Sequence, residues 1–77
     1  MIKSDELSNP RSCINKAAPD EPVFVLRAQD ILAAPLIQAW ADNAEEMGTP
    51  PEKVAEARFL ADQMVDWREL HSTKVPD

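Results

Sequence analysis

Residues 21–35, EPVFVLRAQDILAAP, divide this chain in two. Val23-Phe24-Val25-Leu26 is its one β-like run, Arg27-Ala28-Gln29-Asp30 is a compact polar cluster, and a long amphipathic helix begins after it. Everything before the stretch is turn-rich and polar; everything after it has helical periodicity. Four residues are too few to hold a sheet, and no partner strand follows. The run is therefore expected to pack as an extended segment against helices, pairing across a dimer axis being the other option.

On the C-terminal side, Asp30 is a good N-cap, and Pro35 suits a first helical turn because it has no N–H to leave unpaired. Helix one is expected from about residue 34 to 47. Ala33, Leu36, Ile37, Trp40, Ala41, Ala44 and Met47 form its apolar arc, with Gln38, Asp42, Glu45 and Glu46 opposite. Gly48 supplies the stop. Thr49-Pro50-Pro51-Glu52 then has the spacing of a capping box, with Pro50 at the first helical position. Helix two is expected over about residues 50–71, with His71 and Lys74 near its negative end. Its inner face would hold Val54, Ala57, Leu60, Ala61, Met64, Val65 and Trp67. Both tryptophans thus read as core. So short a connection between the helices implies an antiparallel hairpin.

Two large apolar residues, Phe59 and Leu70, fall nearly opposite that inner face, with Ala55 beside them. They are either scattered surface hydrophobes, a seat for the N-terminal arm, or an oligomer interface. The third reading has a thermodynamic motive. A chain of 77 residues buries only roughly 60% of the surface it exposes when unfolded. Cys13 is the single cysteine and His71 the single histidine, so neither a disulfide nor a structural zinc site is available as a staple. Self-association is the staple left. The fold class expected is all-α: an antiparallel helical hairpin over residues 23–77 with an extended arm over 1–22, assembling as a homo-oligomer.

The arm carries turn signals at Ser8-Asn9-Pro10, Pro19-Asp20 and Pro22. Between them, Ser12 to Ala18 fit one short helical turn with Ser12 as N-cap. Cys13, Ile14, Ala17 and Ala18 would dock it on the helical body, and an inert, packed Cys13 is expected.

Several function classes are excluded by what is missing. Net charge is −6, with four basic and nine acidic residues after position 30, the wrong sign for a duplex nucleic-acid binder. No apolar run is long enough for a membrane span, and MIKSDELSNP is no signal peptide. A cytoplasmic setting is expected. No nucleophile has a base near it, no Gly-rich phosphate loop exists, and the carboxylates Glu45, Glu46, Glu52, Glu56, Asp62, Asp66 and Glu69 sit on outward faces. The expectation is no enzyme, no cofactor and no metal.

One polar set remains, Arg11, Ser12, Asn15, Lys16 and Arg27, flanking the opening stretch. Spacings of one, three and four place the first four along one side of a helical turn. Two guanidinium groups, an ammonium, a hydroxyl and an amide suit a small anion such as a phosphate or nucleotide. The alternative is purely structural, with Arg27 paired to Asp30 or Glu21 and Lys16 to Asp20.

Ser8-Asn9-Pro10-Arg11-Ser12-Cys13-Ile14-Asn15-Lys16-Ala17 and the run from Asp20 to Asp30, followed by Trp40-Ala41, Pro51-Glu52-Lys53, Trp67 and Pro76-Asp77, resemble a group of short, mostly uncharacterised phage and prophage proteins. Such proteins often read Leu-Ala-Pro before the first helix, where this chain has Leu32-Ala33-Ala34-Pro35, one residue longer. The resemblance implies an accessory or counter-defence role in the cytoplasm of a bacterial host. One mechanism is an oligomer that sequesters a nucleotide immune signal through the polar set. Another is an acidic surface that blocks a host protein, and a third is a structural phage role without a ligand.

Overall fold

The computed structural model describes residues 1–71, and all of its regular structure is helical. Among these residues four helices form: α1, Lys3–Ser8; α2, Cys13–Lys16; α3, Ala33–Glu46; and α4, Pro51–Leu70. The long helices α3 and α4 pack on each other and the short α1 and α2 pack on each other; no other pair of helices is in contact. Lys74 and the Pro76-Asp77 end lie outside the described residues.

The start of α3 is set by a proline. Asp30 does not begin the helix at Ile31, and the expected start near residue 34 lies within one residue of the observed Ala33. A helix starting at Ile31 would place Pro35 in its interior, against the carbonyl of Ile31. Two turns delay the start instead. The Asp30 N–H donates to the Arg27 carbonyl (3.0 Å), and the Ala33 N–H to the Asp30 carbonyl (3.1 Å). The Asp30 side chain accepts from the Leu32 N–H at 2.8 Å. Leu32 becomes the N-cap without a side-chain bond, and Pro35 lands in the first turn.

The other end closes as expected. Gly48 has φ of +84°, a left-handed conformation that glycine alone adopts without strain. Its N–H bonds the Glu45 carbonyl (3.1 Å) and the Thr49 N–H bonds that of Ala44 (3.0 Å), the paired closure of a Schellman motif.

The capping box at Thr49 does not form. Pro50 is the N-cap, with no side-chain bond, and Pro51 is the first helical residue. A residue preceding proline is pushed out of the helical region, and Pro50 accordingly sits at φ −51°, ψ 134°. Pro51 thus moves the helix start one residue past the position that would bring Thr49 and Glu52 together.

The contact between α3 and α4 is made mostly of alanine. Ala41, Ala44 and Val54 form one buried cluster near the connection, flanked by Ala57. Ala33, Ala34, Ala61 and Met64 form the other, flanked by Ile37, Leu60, Leu26 and Ala28. Trp40 and Trp67 are not in the core: Trp40 is 54% exposed, and Leu36, Met47, Val65 and Trp67 are also exposed. The reason is geometric. Each long helix has a single helical neighbour, which covers only part of a wide apolar arc. The small residues let the backbones meet, and the large ones are left on the flank. Arg58 clips the margin of this contact, with Nη2 3.0 Å from Asp42 and Nη1 3.2 Å from Glu45. Hydrogen bonds to Glu45 and then Asp42 raise the already high pKa of its guanidinium. Phe59 and Leu70 are exposed, off the core face as their spacing indicated.

The N-terminal arm holds more structure than expected, since α1 was not anticipated. Asp5 and Glu6 occupy its first turn, where they complement the helix dipole. Neither α1 nor α2 packs on the long helices. Cys13 is exposed, not packed. The expected anchor, Val23 to Leu26, is one residue wide: Leu26 and its neighbour Ala28 pack on the core, while Phe24 is 85% exposed and Val23 and Val25 are exposed beside it.

A Cβ added at Gly48 would meet nothing within 4 Å, so Gly48→Ala tests the backbone conformation alone. It should destabilise the chain by about 1 kcal/mol, and Gly48→Asn by less, read from urea unfolding midpoints. Val54→Ala, at the centre of the buried cluster beside the connection, should cost about 2 kcal/mol in the same measurement.

Candidate functional site

The polar set of the N-terminal arm is built around a clasp between α1 and α2. The last carbonyls of a helix have no partner within it, and in α1 they are met by two side chains from α2. The Ser12 hydroxyl donates to the Glu6 carbonyl. Asn15 Nδ2 shares its two hydrogens among the carbonyls of Glu6 (2.9 Å), Leu7 (3.1 Å) and Asn9 (2.8 Å). Ser12 is also the N-cap of α2, as its sequence position indicated, accepting from the Asn15 N–H at 3.3 Å. It is 6% exposed. At the turn between the helices, Asn9 Oδ1 accepts from the Arg11 N–H at 2.9 Å.

Ser12 and Asn15 are therefore joined to the backbone of α1, which fixes the small helix on which Arg11 and Lys16 stand. Arg11 and Lys16 are exposed at either end of it. Arg27 stands apart in sequence, at the head of the turn that leads into α3, and is also exposed. Among the described residues, no hydrogen bond or ion pair joins Arg27 to the other four.

The ion pairs that would have given these cations a purely structural role do not form. Among the described residues the only salt bridges are those of Arg58. Glu21 accepts from the Ala18 N–H at 3.2 Å and Asp30 from the Leu32 N–H. Both acids have turned to backbone donors, as short loops with unpaired N–H groups require.

Two further arrangements were not read from the sequence. The Arg58 fork reaches Asp42 and Glu45 on the other helix, a long-range pairing that no local spacing announces. At the far end of α4, His71 stacks on Trp67, with ring centroids 3.9 Å apart and planes 7° from parallel. Its Nδ1 lies 2.7 Å from the Trp67 carbonyl. The i, i+4 spacing was the available signal, obscured by placing Trp67 in the core. Among the described residues no three His, Cys, Asp or Glu side chains gather as a metal site would require, and no helix is long and apolar enough to cross a membrane.

Replacing Asn15 by Ala removes both donors from the α1 carbonyls. The α1–α2 unit should loosen by about 1 kcal/mol, with faster hydrogen exchange at α1 amides and unchanged exchange in α3 and α4. Equal acceleration in all four helices would contradict the clasp as a local device.

Comparison with known protein families, with characterised proteins and with solved structures found no match for this chain.

Proposed function

We propose that the chain is a non-enzymatic binding protein of the phage accessory, counter-defence kind that its sequence resembles. In this reading an oligomer of antiparallel helical hairpins sequesters a small anionic ligand, such as a nucleotide immune signal. Arg11, Lys16 and Arg27 supply the positive charge, and Ser12 and Asn15 hold the small helix that presents two of them. The observation that carries the reading is the state of the nearby acids: Glu21 and Asp30 are bonded to backbone N–H groups, and the three cations have no acidic partner among the described residues. Exposed cations in a chain of net charge −6 are suited to a compact anion rather than to a duplex, whose phosphates the rest of the surface would repel.

A second reading rests on α4. Glu52, Glu56, Asp62, Asp66 and Glu69 are all exposed along it, and such a surface suits a basic host protein whose nucleic-acid site it would cover.

A thermal-shift screen of the purified chain against nucleotides and cyclic dinucleotides separates these readings. A ligand present at about 100 times its dissociation constant stabilises by about 2.7 kcal/mol, which for a domain of this size raises Tm by roughly 10–20 °C. The Lys16→Glu, Arg27→Glu double variant should lose that shift. No shift with any nucleotide at millimolar concentration would reject the ligand reading and leave the protein-binding one.

A further inference from the structure

We propose that the flank of α3 formed by Leu36, Trp40 and Met47 is the surface through which copies of this chain associate. The proposal rests on the reading that the chain works as an oligomer, and goes further by assigning the face.

These residues recur at intervals of four and seven, which at 100° per residue keeps them in one line, about a quarter of the way round the helix from the buried alanines. They are 52%, 54% and 86% exposed. A groove lies beside one end of the line. Trp40, Asn43, Ala44, Met47 and Thr49 border a shallow groove of about 310 Å³ at the end nearest the connection. A tryptophan beside a groove, with apolar neighbours along one edge, has the make-up of an interface core.

The chain is less compact than a monomer of its mass is expected to be. The chain exposes 6163 Å², whereas a compact monomer of 8.6 kDa is expected to expose roughly 4,700 Å². The surplus of about 1,500 Å² is spread over the whole chain, Val23 to Val25 included, and the α3 flank is one part of it. The radius of gyration agrees: 13.3 Å against roughly 11.5 Å for a compact domain of this length.

Given that copies of the chain associate, charge selects this face as the place. Two chains of net charge −6 repel, so their contact must avoid acidic side chains. Leu36, Ala39, Trp40, Asn43 and Met47 bring no charge to the α3 line. The rival line on α4 fails this condition. Phe59 and Leu70 share it with Asp62 and Asp66, which a two-fold contact would set against their own copies. That line is better matched to a basic partner than to itself.

The test is light scattering with sedimentation equilibrium on the full chain, with circular dichroism to confirm helicity, for the wild type, Trp40→Glu and Phe59→Glu. The wild type should run as a dimer or larger. Trp40→Glu should weaken association by about 30-fold or more, and Phe59→Glu should leave it unchanged. If Trp40→Glu is not helical, Leu36→Gln combined with Met47→Gln takes its place, and its dissociation supports the proposal while its continued association overturns it. A wild type that associates while Trp40→Glu associates equally well, or that is dissociated only by Phe59→Glu, overturns the assigned face and leaves the oligomer reading intact. A wild type that is a single chain up to millimolar concentration overturns both.

Discussion

The alanine-lined contact between α3 and α4 is the constraint on which the rest of this structure depends. Ala33, Ala34, Ala41 and Ala44 meet Val54, Ala61 and Met64, and no other helix lies against the pair among the described residues. Small side chains bring helix backbones close, but they remove little apolar area from water, and burial is roughly proportional to that area. The pair is therefore a thin core. Its large side chains, Leu36, Trp40, Met47, Phe59 and Leu70, remain on the surface. The modest stability expected of so small a chain follows from this one fact, and the partner surface proposed above starts from it.

A second constraint acts at the ends of the helices. Every buried or partly buried N–H and C=O must find a partner, and short helices have many such groups for their length. The chain answers with side-chain oxygens and amides. Asp30 and Glu21 accept from loop N–H groups, Ser12 and Asn15 donate to the end of α1, and Gly48 lets the end of α3 close on itself. Neither acid forms a salt bridge with a neighbouring cation among the described residues. Arg11, Lys16 and Arg27 are exposed.

The two parts of the molecule are linked through a narrow point. Leu26 and Ala28 are the residues before α3 that pack on its core, and Val23 to Val25 leave that anchor as an exposed apolar segment. Residues 21–35 therefore act as a strap between the clasped pair α1–α2 and the long pair α3–α4. The turn at Arg27 to Asp30 holds a cation at the head of the helical body while the anchor fixes its position.

The sequence by itself determined what local chemistry controls. The two long helices, the left-handed stop at Gly48, the Ser12 cap and the outward placement of Phe59 and Leu70 could all be read from spacing, because each depends on residues within a turn or two. The polar set could be listed as candidates in the same way. Tertiary structure alone decided which part of each apolar arc is covered. A helix with one neighbour cannot bury a wide arc, so Trp40 and Trp67 lie outside the core that periodicity assigned them. It also decided the roles within the polar set. Ser12 and Asn15 hold α1 because its open carbonyls come to lie against them, a meeting across several residues of turn that sequence spacing does not specify. The prolines show both outcomes: Pro35 sets the start of α3 within one residue of where its spacing placed it, whereas Pro51 outweighed the capping propensity of Thr49.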